Sequence, residues 1–241
     1  MRIIGNQELD MSESLWRYFK TERFLELLQS SHLYFASARQ FADPFEGAVA
    51  VLPAGFPVDP RYTEAEHYEL AFEELRRLTK VSCWHRANYE SDAMWQLYAG
   101  ASKGVAIRTT PNRIQAAAKP FHLKPEYGHE DLWAGNVNYV DLLAERLRVS
   151  MLERFWYKHM AFSWENEFRL AISLRMAEEF GVEVPEHGIS VEFDISQLID
   201  EIYLGPSLSE AEVTQIRSAA RVHELEGRIR VTSMLGTPRY T

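Results

Sequence analysis

Residues 162–173 read FSWENEFRLAIS, and the reading of the fold turns on their spacing. In an extended chain, successive side chains point to opposite faces. Glu165, Glu167 and Arg169 then share one face, while Asn166, Phe168, Leu170 and Ile172 share the other. The second set is expected to pack on a core. The first set is either a solvated strand surface or one wall of a site, and alternation alone leaves both readings open.

Working outward from this ribbon, residues 15–19 (LWRYF) and 32–36 (HLYFA) are dense in aromatic and aliphatic residues and are expected as strands. Thr21 is placed to cap a helix running through Leu28. Residues 40–47 (QFADPFEG) read as a loop whose turn Asp43 fixes, and residues 52–62, with three prolines and a glycine, as a surface connection. Thr63 and Glu66 form a capping-box pair that opens a helix to about Lys80. Strands are expected at 81–85, 104–108, 136–140, 190–194, 201–204 and 228–232. Ser91 starts a short helix through Tyr98, on which Met94, Trp95 and Tyr98 form a core-facing side. Thr110 and Pro111 are a cap and a first-turn proline, and Ser209 with Glu212 is a second capping box. Residues 119–136 look irregular. The longest helical pattern spans 141–162, where Arg154 and Lys158, four apart, make a basic stripe. Helices and strands mix without regular alternation, so the expected class is α+β. The expected architecture is one domain over 1–241, with a central, largely antiparallel sheet or a split pair of sheets flanked by helices.

The chain has 241 residues, of which 46% are hydrophobic and 25% charged. A globular chain of this size buries roughly 70–75% of its unfolded surface and needs no disulfide or metal staple. The formal net charge of -9 opposes general attraction to phosphate backbones. The single cysteine, Cys83, excludes an intramolecular disulfide and suits a reducing compartment. No apolar run is long enough for a signal peptide or a membrane-spanning helix, so a soluble cytoplasmic protein is expected.

Several chemistries lack their residues. Residues 100–104 (GASKG) have the spacing of neither nucleotide-binding glycine loop. No His-Glu-x-x-His pattern occurs, and one cysteine cannot build a thiolate zinc site, so no metal ligands are assigned. His122 and His129 lie in an irregular segment; they could bind a metal with a distant carboxylate, but read better as ordinary surface histidines. Cys83 and His85 share a strand face, which allows a Cys–His nucleophile, but a cysteine between Val81 and Trp84 reads better as a small buried apolar residue.

An ordered series of short motifs covers nearly the whole chain: residues 15–18 (LWRY), 33–37 (LYFAS), 43–46 (DPFE), 82–83 (SC), Met94-Trp95 with Tyr98, 103–107 (KGVAI), 164–169 (WENEFR) and 202–205 (IYLG). In this series the chain resembles a prokaryotic family catalogued as domain of unknown function 2971. It departs from that pattern at Ala42, where the family tends to carry asparagine, and at Trp84-His85, where Phe-Ser is usual. The family name carries no activity, so this resemblance alone implies no function. A second likeness, in the order of strand, helix and late Glu-x-Glu strand, is to ADP-ribosyltransferases, and it implies an NAD-consuming transferase or glycohydrolase, of the kind used as toxin or phage-defence effectors. Under that likeness NAD is the substrate. Arg17 holds its phosphates or ribose, Tyr34 or Ser37 lines the nicotinamide pocket, Glu167 opposes the ribosyl cation, and Glu165 orients or deprotonates the acceptor. Arg169 sits beside the acids and is expected to keep both ionised. The implied partners are a small-molecule or nucleotide ligand and a protein or nucleic-acid acceptor, with no membrane.

Two rival readings use the same residues differently. One is a metal-dependent nuclease or phosphodiesterase built on Asp43, Glu46, Glu165, Glu167 and Lys158. The other is a non-catalytic module that binds a protein or small anion.

Overall fold

The computed structural model describes residues 1–49, 65–126 and 128–232, the side chains of 65–69 excepted. The connection expected at 52–62 and the Thr63 cap lie outside the described residues. In chain order the elements are β1 (Arg2–Ile3), β2 (Leu15–Lys20), α1 (Thr21–Ser30), β3 (His32–Ser37), α2 (Ala65–Leu78) and β4 (Thr79–Arg86). Then come α3 (Asp92–Tyr98), β5 (Gly104–Thr109), α4 (Pro111–Ala117), β6 (Trp133–Asn136), β7 (Asn138–Val140) and β8 (Tyr157–His159). The chain continues through β9 (Glu167–Ser173), α5 (Arg175–Glu179), β10 (Ile189–Glu192), α6 (Ile195–Leu198), β11 (Glu201–Leu204), α7 (Glu210–Val222) and β12 (Ile229–Val231). The pairs β2–β4, β2–β5, β3–β4, β5–β11 and β6–β9 are antiparallel and β1–β6, β11–β12 and β7–β8 parallel, so the α+β class read from the sequence holds.

The backbone divides into two compact units, each drawn from three stretches of chain. Unit 1 comprises Met1–Leu9, Tyr34–Cys83 and Pro120–Ser190. Its strands follow the order β1, β6, β9 and the first part of β4. The core gathers Ile4, Ala38, Leu75, Val81, Val137, Phe155, Trp156 and Ala171, with Cys83 packed at its edge. β9 is buried on both faces: Phe168, Leu170 and Ile172 have no exposed surface, and neither has Arg169. The alternation in the sequence therefore separates an apolar buried face from a charged buried face.

Unit 2 comprises Asp10–Leu33, Trp84–Lys119 and Val191–Thr241. β5 lies between β2 and β11, antiparallel to both, with Arg17 opposite Ile107 and Ile202 opposite the same residue on the other side. Trp16, Tyr18, Met94, Trp95, Ala99 and Ala106 form a core cluster, so the expected core-facing side of α3 is seen in Met94 and Trp95. Tyr98 departs from it, being 48% exposed.

Three expectations need correction. Thr21 is inside α1 rather than its cap, and its hydroxyl donates to the Lys103 carbonyl at 2.9 Å. The long helix expected over 141–162 is absent. That stretch contains a 3-10 turn (Glu153–Trp156), β8, and a second 3-10 turn (Met160–Glu165). Packing overrides the helical pattern, because Trp156 is wholly buried and its indole N–H reaches the carbonyls of Gly135 and Arg169 at 3.1 and 3.2 Å. β6, in a region expected to be irregular, pairs with β9 from Trp133↔Ala171 to Asn136↔Phe168. Ser91, Thr110 and Ser209 cap their helices as expected, the last with Glu212 in a reciprocal box. Among the described residues, no helix is long and apolar enough to cross a membrane.

Candidate functional site

The opening ribbon is only partly a strand. β9 begins at Glu167, and Glu165 closes the preceding 3-10 turn. Between them Asn166 takes a left-handed conformation, φ 40° and ψ 60°, which asparagine tolerates better than most residues. The backbone of Glu167 is fixed on both sides: its N–H donates to the Tyr139 hydroxyl at 2.8 Å, and its carbonyl accepts from the Val137 N–H at 2.9 Å. Tyr139 lies opposite Lys158 in the β7–β8 pair, so one small ribbon supplies both the clamp and the cation.

Lys158 Nζ donates to Glu165 Oε2 and, at 2.9 Å, to Glu167 Oε1. It also lies 4.6 Å from the centroid of the Phe162 ring. Arg169 closes the cluster from the strand side. Its Nε and Nη2 donate to Glu167 Oε2 at 3.1 and 2.9 Å, and its Nη1 donates to Glu46 Oε1 and to the Phe155 carbonyl, both at 2.5 Å. Glu46 is delivered by the turn after β3. There Asp43 Oδ1 accepts from the Phe45 N–H at 2.9 Å, as expected of a turn-fixing aspartate. Gly47 then turns the chain with φ +77°, and a Cβ on it would stand 2.6 Å from the Phe155 ring. Only glycine satisfies both demands.

All five charged side chains are buried or nearly so. Arg169 and Glu46 are 0% exposed, Glu167 5%, Lys158 6% and Glu165 9%. The solvated-face reading of Glu165, Glu167 and Arg169 is therefore excluded by burial. So is the reading of Lys158 as a surface helix stripe. With every group ionised, three carboxylates stand against two cations, a net charge of -1. Burial of such a set is tolerable only when charges are paired and hydrogen-bonded.

Proton affinities follow from that imbalance. Burial pushes the Glu165 carboxyl up to about 7, and its hydrogen bond to Glu167 adds to the shift. Glu167 moves the other way: burial opposes its ionisation, but Arg169 and Lys158 overcome it and hold the carboxyl well below its usual range. Burial also raises Glu46, against the pull of Arg169. Lys158 and Arg169 are held protonated by Glu167 although burial works against both. The expectation that Arg169 keeps both acids ionised is thus corrected: it secures Glu167, and Glu165 takes up a proton near neutral pH.

Of the other candidates, Cys83 borders the cluster, and its thiol hydrogen-bonds to the Glu167 carboxylate. Cys83 is half-buried, and burial together with the Glu167 carboxylate pushes its thiol well up, which disfavours a thiolate nucleophile. Ser37 is wholly buried, and its hydroxyl donates to the carbonyls of Arg76 and Arg77 at 3.1 and 3.2 Å. Tyr34 is 45% exposed; its hydroxyl donates to Gln40 Oε1 and accepts from the Gly188 N–H, both at 3.0 Å. Arg17 belongs to unit 2, where its guanidinium lies 5.4 Å from the Phe19 ring and 5.6 Å from the Trp84 ring. Among the described residues, no group of three or more His, Cys, Asp or Glu side chains is arranged to hold a metal ion.

Sequence reasoning missed Tyr139 and gave Glu46 and Lys158 roles only around a metal. A usable signal for Lys158 existed. It lies between Trp156-Tyr157 and His159, a short aromatic run better suited to a strand than to a solvated helix.

No curated protein and no solved structure gives a match. Residues 94–170 match the model of DUF2971, described as a protein of unknown function, and the matched span holds Met94, Trp95, the 103–107 run and the 164–169 ribbon with its two acids. Over that span, about a third of its length, the chain is similar to the DUF2971 family.

Proposed function

We propose that unit 1 carries a carboxylate-pair active site for cleavage of a glycosidic bond in a nucleotide, with NAD as substrate and water or a macromolecular hydroxyl as acceptor. The observation that carries this reading is the buried acid pair itself: Lys158 Nζ bonds both Glu165 and Glu167, while Arg169 bonds Glu167 and not Glu165, and these unequal surroundings push the two proton affinities apart. A base works best when its pKa lies near the operating pH. In the proposed reaction the bond between nicotinamide nitrogen and ribose C1 breaks, and its electron pair leaves with nicotinamide. The resulting ribosyl cation faces a cluster whose net charge is -1 while Glu165 is ionised. Glu165 takes the acceptor's proton as the acceptor oxygen bonds to C1, and the cluster becomes neutral. Glu167 holds the fixed charge that keeps Glu165's proton affinity high. Arg17 and Ser37 take no part in this reading.

The test is nicotinamide release from NAD by the purified protein. Wild type should release nicotinamide at a rate that rises with pH through about 7. Glu165→Gln should lower that rate by roughly 10²–10⁴-fold, the usual contribution of a positioned general base. An inert wild type, or equal rates for the two proteins, would contradict the proposal.

A second reading is favoured by one observation, the complete burial of Arg169 and Glu46. In it the ion cluster is an internal brace, and the protein binds a ligand without turnover. Absence of nicotinamide release, with an unchanged fold in Glu165→Gln, would support it.

A further inference from the structure

Unit 1 contains a second set of cations, with the opposite character. Phe72 and Arg76 stand one helical turn apart on α2, and Arg154 comes from the 3-10 turn Glu153–Trp156. Both guanidiniums lie against the Phe72 ring, Arg154 at 4.9 Å and Arg76 at 5.8 Å from its centroid. Arg76 Nη1 donates to Glu73 Oε1 at 3.1 Å, so part of its charge is met. Its Nε is buried without an acceptor, and so is the Nε of Arg154. No carboxylate within ion-pair distance of Arg154 is found among the described residues.

This arrangement is costly without a ligand. Burial pushes the Arg154 guanidinium down, with no opposing anion, yet arginine does not shed its proton in proteins. A buried donor left unpaired forfeits the hydrogen bond it made to water in the unfolded chain. Contact with an aromatic ring engages the flat side of a guanidinium and leaves its N–H edge for an acceptor. Two such edges beside one ring, with one net positive charge after Glu73 is counted, match a polyanionic oxygen group better than a single carboxylate.

We propose that the Arg154–Phe72–Arg76 cluster is a binding site for a phosphoryl group. The guanidiniums of Arg154 and Arg76 supply its donors. The site is independent of the acid pair and of the NAD reading.

Inorganic pyrophosphate is the direct probe, read by thermal unfolding of the full chain against sodium chloride at matched ionic strength. Wild type should show a melting temperature that rises with pyrophosphate and not with chloride. Arg154→Met, which keeps the apolar contact with Phe72, should melt at or above wild type in anion-free buffer and show no pyrophosphate response. Arg154→Lys should not restore the response, because lysine lacks the fork. The proposal is overturned if wild type responds no more to pyrophosphate than to chloride. It is equally overturned if Arg154→Met melts well below wild type without anion, or keeps the full pyrophosphate shift.

Discussion

Arg169 and Arg154 are the same residue type in the same unit, and their surroundings differ in kind. Arg169 has no exposed surface and donates to Glu167, Glu46 and the Phe155 carbonyl. Arg154 rests on an aromatic ring with its Nε unpaired. A buried cation whose donors are met acts as a brace, and its removal strands the acids around it. A partly buried cation whose donors are unmet is a standing cost that a ligand can relieve. Burial alone does not separate these cases; the count of satisfied donors does.

The largest effect that sharpens this contrast is expected from Arg169→Met. Leaving Glu46 and Glu167 buried without their guanidinium should destabilise the fold by about 3–5 kcal/mol, measured by urea unfolding. A loss under about 1 kcal/mol would break the comparison, since that is the scale of an exposed ion pair. Gly47→Ala should cost about 2 kcal/mol. Its methyl meets the Phe155 ring, and alanine resists the positive φ that sets Glu46 in place.

A smaller and pH-dependent effect belongs to Glu165. Its folded pKa of about 7 exceeds the ordinary 4.5, so the folded state binds the proton more tightly than the unfolded chain does. Its contribution to stability is full below pH 4.5, declines as pH rises from about 4.5 to about 7, and stays flat above. Glu167 has the opposite sign: its depressed pKa stabilises above 4.5, and that contribution fades in acid. Glu165→Gln imitates the protonated acid, so it should gain stability relative to wild type across pH 4.5–7 and hold that gain above. Chemical unfolding at pH 5 and pH 8 checks it, and an unchanged difference between the two would contradict the assignment. The smallest shift is expected from Arg154→Met in anion-free buffer: within about 1 kcal/mol of wild type and not destabilising.

Much of this was legible in the sequence, and the failures have physical causes. The strands at Leu15–Lys20, His32–Ser37 and Gly104–Thr109 and the three capping residues Ser91, Thr110 and Ser209 announce themselves through local chemistry. The grouping of Glu165, Glu167 and Arg169 was visible too, but for an incomplete reason. Strand alternation accounts for Glu167 and Arg169, whereas Glu165 reaches them through the left-handed turn at Asn166. Residues 141–162 misled because charge spacing imitates a helix, while Phe155 and Trp156 are fixed by tertiary contacts the local pattern does not carry. β6 was hidden by Gly135, which weakens strand propensity and is present because a Cβ would meet Ile4 Cγ2 at 2.4 Å. Glu46 lies 123 residues from Arg169, and no local pattern links them.

The account rests on Glu165 carrying the exchangeable proton of a buried, paired cluster. Carbon-13 NMR of the side-chain carboxyls in the full chain, with the Glu165 resonance assigned by its loss in Glu165→Gln, reports that proton directly. The predicted titration midpoint for Glu165 is near 7. A midpoint at or below the ordinary 4.5 would show both acids ionised at neutral pH and contradict the acid–base assignment.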